Sequence, residues 1–337
     1  MPMRRTAPLE HLQPTLERGY TVMGETLLFQ TNHPRLLETA DESFGRYPAC
    51  PPNARQPAHD GQPLIVRLFV TEPRQPEPDT AHPLPVYHTQ EHLFHIQVGE
   101  DNWAVVDLQG GFAFGLVTTG MAHDRPFVRV TFVEAMCLAM LSLGRNFSNL
   151  HAACVVKNGV SVTLQGRNNT GKSTLAYACA RRGYQVLTED VVHIKVRPES
   201  VALWGSPWKL HLLVDAQRLF PELSGLSPAL QINGEWKLEV DLESLYPQST
   251  VVQARPGLMV LLVRGSGGLT RVEPISREQA LSHSEIIWPW QTGWTAELER
   301  GSQSLLDGGT LRLHINGTPD QAVDALDSLI EEARTKP

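Results

Sequence analysis

The chain has 337 residues, enough for two domains or one large one. Apolar residues make up 41 % and charged residues 19 %, a globular balance able to bury a sizeable core. The formal net charge of −7 argues against non-specific nucleic-acid binding, which needs a basic face to displace counterions.

Cys50, Cys137, Cys154 and Cys179 form no CxxC pair and no zinc-like spacing. Three of them lie in apolar surroundings, where a cysteine is a small buried hydrophobe. A reducing, cytoplasmic setting fits this usage best. The N-terminal residues are not followed by an apolar h-region, and no stretch approaches about 18 uninterrupted apolar residues. Neither a secretory signal nor a membrane span is therefore expected.

Residues 1–125 read as a separate, smaller, β-rich (α+β) domain. Ten prolines fall between Pro48 and Pro85, which excludes long helices there. Leu64 to Val70 reads as a strand, and His92 to Val98, Trp103 to Leu108 and Gly111 to Thr118 as a meander. Residues 126–337 read as a second, α/β domain that opens on an amphipathic helix, Phe132 to Leu143. Strands follow at Ala153 to Val156 and Val160 to Gln165, joined by Asn158-Gly159, a strong hairpin signal. A helix over Lys172 to Arg182 stops at Gly183, and a strand covers Tyr184 to Thr188. Further strands are expected at Val201 to Leu203, Leu238 to Val240, Gly257 to Val263 and Leu269 to Pro274. Helices are expected at Ser276 to Ser284 and Pro319 to Arg334, the latter with Thr318 as N-cap.

Gly166, Arg167, Asn168, Asn169, Thr170, Gly171, Lys172 and Ser173 match GxxxxGK[ST] in full, with Thr174 next in the helix. Glycines allow the backbone angles that turn amide N–H groups inward around phosphates. Lys172, expected at an exposed helix start, adds a cation against the β and γ phosphates. Ser173 offers a hydroxyl to Mg2+, and the helix start presents a positive dipole end to the anion. An apolar strand before and a helix after give the motif its required setting. A nucleoside triphosphate, ATP or another, with Mg2+ is the expected ligand.

Thr188-Glu189-Asp190 supplies the carboxylates that phosphoryl transfer needs. The helix from Lys172 to Arg182 leads about 16 Å away from the phosphates. The strand after Gly183 leads about 16 Å back. The pair therefore returns near the level of the P-loop, with neighbouring side chains facing opposite ways.

Leu150-His151-Ala152-Ala153, the hairpin, the P-loop and the acidic pair together resemble the catalytic domain of HPr kinase/phosphorylase and its relatives. Those are bacterial serine kinases with a P-loop fold distantly shared with phosphoenolpyruvate carboxykinase. The resemblance is specific over residues 151–194, weaker to about residue 265, and silent on the N-terminal region. It implies a P-loop kinase core of the HPr kinase/PEP carboxykinase type. It implies His151 near the transferred phosphate, Glu189 in place of an aspartate acid/base, and Asp190 as the second carboxylate, holding Mg2+ with Ser173. The glutamate is one methylene longer than the residue it replaces. The family's glycine-rich HPr-docking segment is absent, and the region reads Trp204 to His211, so HPr is not the expected acceptor. The chain looks more like the divergent HPr-kinase-like proteins found with peptide-modification gene clusters.

The expected activity is Mg2+-dependent phosphorylation of a serine or threonine hydroxyl on a peptide or protein, encoded nearby. The alternative is an ATP-gated binding module with little or no transfer. A homo-oligomer, as among HPr kinases, stays open. Lys237, Lys209 and Arg255 are further candidates to reach a phosphate or the acceptor. His88, His92 and His95 with Glu91 fit neither one helix face nor one strand face, which disfavours a metal site. Trp288, Trp290 and Trp294 could line an acceptor pocket or sit in a core.

Overall fold

The computed structural model describes residues 12–47, 62–73, 82–197, 199–231, 233–265, 267, 269–282 and 296–335. Cys50 and the three tryptophans Trp288, Trp290 and Trp294 lie outside them. The protein is mixed α/β, and contacts divide it into two compact units, Met1–Arg145 and Asn146–Pro337.

The first unit is built on a 7-stranded sheet in the order β1-β2-β3-β7-β6-β5-β4. Its strands are β1 (Leu16–Val22), β2 (Glu25–Thr31), β3 (Leu64–Thr71), β4 (Val86–Gln90), β5 (Leu93–Val98), β6 (Asn102–Asp107) and β7 (Phe112–Thr118). Strands β5 to β7 form the expected antiparallel meander, β4, unread in the sequence, extends it, and β3 joins β2 and β7 in parallel. The β1–β2 hairpin turns on Met23 and Gly24, at φ 52 and 80, where glycine at the second position relieves the left-handed strain. A helix at Pro34–Phe44, started by Pro34 in the first turn, packs on these two strands.

The boundary expected at 125/126 lies instead at 145/146. The helical run Arg125–Gly144 buries Phe132, Met136 and Met140 and contacts β3 and β6, so its apolar face belongs to the first unit. It widens into π turns at Arg129–Glu134 and Met140–Gly144. By length and composition it could cross a membrane, but most of its apolar window is buried within the structure.

In the second unit a 6-stranded sheet runs β11-β9-β10-β18-β20-β19. These strands are β9 (Ala153–Lys157), β10 (Val160–Gln165), β11 (Gln185–Thr188), β18 (Leu258–Arg264), β19 (Arg271–Pro274) and β20 (Thr310–Ile315). Alternation sorts their side chains into two cores. Val155, Leu164 and Val260 pack with Tyr177 of the P-loop helix and with Val323, Leu326 and Ile330 of the helix Pro319–Thr335. Cys154 and Met259 point the other way, toward Leu150, Ile194, Leu305 and Leu306. The C-terminal helix opens on a capping box, Thr318 and Gln321 bonding each other's backbone N–H. Tyr184 donates its hydroxyl to Asp327 at 2.6 Å and ties that helix to the sheet.

Two smaller sheets complete the unit. One, β17-β13-β12-β8, holds β8 (Phe147–His151), β12 (Val191–Arg197), β13 (Ser200–Trp204) and β17 (Gln253–Ala254). The other, β14-β16-β15, holds β14 (Leu210–Leu213), β16 (Trp236–Val240) and β15 (Ala229–Leu230). Strands β8, β12, β14 and β20 and the helix Ala296–Asp307 went unread in the sequence. Cys137, Cys154 and Cys179 are free and buried, and burial pushes the Cys154 thiol up to about 12.

Candidate functional site

The loop after β10 reverses tightly before the helix Lys172–Arg181. Gly166 has φ 156, and a Cβ there would come 2.7 Å from Thr170 Oγ1 and 3.0 Å from the Leu262 carbonyl, so only glycine fits. Thr170 donates its hydroxyl to the Arg167 carbonyl at 2.8 Å and pins the loop. Arg167, Asn168 and Asn169 form its exposed tip, with Asn169 at φ 64. Gly171, at φ 101, caps the helix, and Thr174 is half-buried in its first turn. At the far end Gly183 takes φ 77, and the Gly183 and Tyr184 N–H groups reach the Ala180 and Cys179 carbonyls. That paired closure turns the chain into β11.

Lys172 is buried rather than exposed. Its ammonium donates to the Gly166 carbonyl at 2.7 Å and the Arg167 carbonyl at 3.4 Å, inside the loop it was expected to project from. Arg264, ending β18, holds a guanidinium nitrogen 3.5 Å from where a Gly171 Cβ would stand. β18 lies parallel beside β10, so its last residue ends beside the loop.

The two carboxylates sit on the bend between β11 and β12, in different places from those expected. Glu189, not Asp190, meets Ser173: the serine hydroxyl donates to Glu189 Oε2 at 2.7 Å. The backbone runs tightly here, so neighbouring side chains diverge, and the longer glutamate reaches back to the helix start. Glu189 Oε1 accepts the His211 backbone N–H at 3.1 Å and its Nδ1–H at 2.9 Å.

Asp190 faces His151, with Nδ1 to Oδ1 at 3.1 Å. His151 ends β8, and antiparallel pairing of β8 with β12 sets it opposite Val191. The other imidazole nitrogen lies 3.2 Å from Asn168 Oδ1. His151 therefore bridges Asp190 to the P-loop tip. Asp190 keeps 61 % of its side chain exposed. Burial pushes its carboxyl up, but the His151 hydrogen bond, then the charges of His151, Lys237 and Lys172, outweigh it and hold it below the ordinary aspartate range.

Lys237, on β16, pairs with Glu235 at 3.0 Å, and its charge acts on Asp190. Lys209 is held by Glu239. Arg255 does not join the site: its carbonyl accepts the Ser161 hydroxyl at the start of β10, the end of the strand away from the P-loop. His88 and His95 stack face to face with centroids 4.4 Å apart. Among the described residues no group of three metal-ligating side chains forms. Behind the site, buried His193 meets Asn149 Oδ1 at 2.6 Å, and burial lowers its imidazole to about 4.

Sequence reasoning missed His211, Arg264 and the bridging role of Asn168. No local pattern marks them. His211 was visible only as the end of the segment from Trp204.

No protein-family model and no curated protein matches the sequence. The fold has a distant solved neighbour. It is the HPr(Ser) kinase/phosphatase from Coxiella burnetii, at 17 % identity over 56 % of this chain and 97 % of that one, with a TM-score of 0.30. Nothing about the site rests on so remote a likeness.

Proposed function

We propose that the chain is a Mg2+-dependent ATP phosphotransferase with a P-loop kinase core, acting on a serine or threonine hydroxyl of a peptide or protein other than HPr. One observation carries this reading. Beside a complete P-loop stand two separate carboxylate arrangements, Ser173–Glu189 and His151–Asp190, one suited to a metal and one to a proton.

The serine hydroxyl and glutamate carboxylate are hard oxygen donors, the chemistry that suits Mg2+. Ser173 and Glu189 would hold the ion, which supplies charge neutralisation on the β and γ phosphates. This exchanges the parts first expected of Glu189 and Asp190. Lys172 leaves the loop carbonyls for the phosphates when these arrive. Asp190, kept ionised, accepts the acceptor's hydroxyl proton as the new O–P bond forms and the bond to the ADP oxygen breaks. His151 orients Asp190 and is itself held on its other side by Asn168. A short acid–base reach of about 2.6–3.2 Å is required, and the exposed Asp190 is accessible to a large acceptor.

The test is incubation with γ-labelled ATP, Mg2+ and the polypeptides encoded by neighbouring genes, followed by mass spectrometry. The expected product carries one phosphate on a serine or threonine. A partner that binds only with ATP and stays unmodified over many hours would replace this reading with the nucleotide-gated binding module.

A further inference from the structure

Glu189 is fixed at both oxygens. Its Oε2 takes the Ser173 hydroxyl, and its Oε1 takes two hydrogen bonds from a single residue, His211. Only 12 % of the Glu189 side chain is exposed. The fold explains how His211 comes to be there. Leu210 and Leu212 are buried, so strand alternation turns the His211 side chain to the opposite face of β14. β14 is also the edge of the three-stranded sheet, and an edge strand presents N–H groups that no neighbouring strand takes. The Glu189 carboxylate occupies the one at His211.

We propose that His211 is a positioning residue that presets the metal side of the site by anchoring Glu189 toward Ser173. The inference rests on the phosphotransferase reading above and deepens it. The physical need arises from the side chain's length. Glutamate has one more rotatable bond than aspartate, so an unanchored carboxylate spreads over more rotamers and presents its oxygen to the ion less often. Two donors on one oxygen remove that freedom while leaving the other oxygen directed at the Ser173 hydroxyl. The ring donor at Nδ1 fixes the tautomer, as partners behind metal ligands commonly do. A second consequence follows from connectivity. The anchor joins the carboxylate to the sheet that also carries Lys237, so ordering of the metal side and placement of Lys237 are linked through β14 and β16.

The test uses the full chain and Mn2+ as a spectroscopic probe in place of Mg2+, with a non-hydrolysable ATP analogue present. Free Mn2+ is read by electron paramagnetic resonance. His211→Leu removes the ring donor and is expected to weaken Mn2+ binding by about tenfold or more, the scale of lost support behind a ligand. His211→Asn, with a donor near the Nδ1 position, is expected to restore most of it. Analogue affinity without metal should stay at the wild-type value in both. In the transfer assay, His211→Leu should raise the KM for metal more than it lowers kcat. Should His211→Leu melt early, His211→Phe makes the same comparison, keeping a ring of similar shape without a donor. Wild-type Mn2+ affinity in His211→Leu, alongside its loss in Glu189→Gln, overturns the positioning role alone. Wild-type affinity in Glu189→Gln as well overturns the assignment of Glu189 to the metal, and the inference with it.

Discussion

His151 stands between Asp190 and Asn168, its two ring nitrogens 3.1 Å from one and 3.2 Å from the other. The ring therefore ties the bend that carries Asp190 to the side-chain amide at the tip of the glycine-rich loop. The arrangement makes the charge of Asp190 depend on His151.

That dependence has a sign. With His151 present the Asp190 carboxyl is held below the ordinary aspartate range, so the base stays ionised through that range and is lost only at lower pH. His151→Ala removes the hydrogen bond and the charge of the ring, leaving only the weaker pull of Lys237 and Lys172 against the burial that pushes the carboxyl up. The acid limb of the transfer rate should move to higher pH. A pH–rate profile of both proteins checks this, and superimposable acid limbs would disprove the coupling.

The carboxylates should separate by function. Glu189→Gln should weaken Mg2+ or Mn2+ binding while leaving metal-free nucleotide binding in place. Asp190→Asn should keep metal affinity and lose most transfer, in the range of about 10²–10⁴-fold for a general base. Metal titrations and single-turnover rates on the two variants decide it. The reverse pattern would return Glu189 to the role of base.

Lys172→Ala should cost orders of magnitude in triphosphate affinity and about 1–3 kcal/mol in stability. The ammonium contacts two carbonyl oxygens of an exposed loop, and hydrogen bonds of this kind are worth about 1–3 kcal/mol before the loop relaxes into water. Calorimetry of nucleotide binding and thermal melting, run together, measure both. Unchanged affinity would remove the foundation of the functional reading.

Acid should destabilise the second unit through His193. Its folded value is about 4, against an ordinary value of 6.5, so the unfolded chain takes up the proton first as pH falls. The stability it contributes is complete above about pH 6.5 and drains away down to about pH 4, on the order of 3 kcal/mol at the limit. Urea unfolding across that window should show a flatter pH slope in His193→Asn, which keeps a donor for Asn149. An equal slope would mean that His193 is not the group responsible.

Tyr184→Phe should lower stability by about 1–2 kcal/mol, because it removes a hydrogen bond to a charged acceptor and leaves the ring in place. Lys157 still pairs with Asp327, which keeps the loss at the low end. Chemical denaturation checks the value, and a neutral result would mean that the tie between sheet and C-terminal helix is water-equivalent.

The sequence by itself determined whatever depends on neighbours along the chain. The P-loop needs glycines at fixed spacing, and Asn158-Gly159 accepts the left-handed angles of a two-residue turn, at φ 54 and 79. The Thr318 cap and the Gly183 stop are equally local. Met23-Gly24 makes the same kind of turn but lacks the usual asparagine, and its hairpin passed unread. Strands β8 and β12 were hidden for another reason: their polar residues, such as Asn149 and His193, satisfy each other in the interior and break the expected alternation. Only tertiary structure decided which carboxylate meets Ser173, because a bend of two residues sends Glu189 and Asp190 to different partners. His211 lies 22 residues beyond Glu189 and reaches it only through the edge of a separate sheet. Contacts of that kind follow from how strands pair and which faces they bury, and no local spacing encodes them.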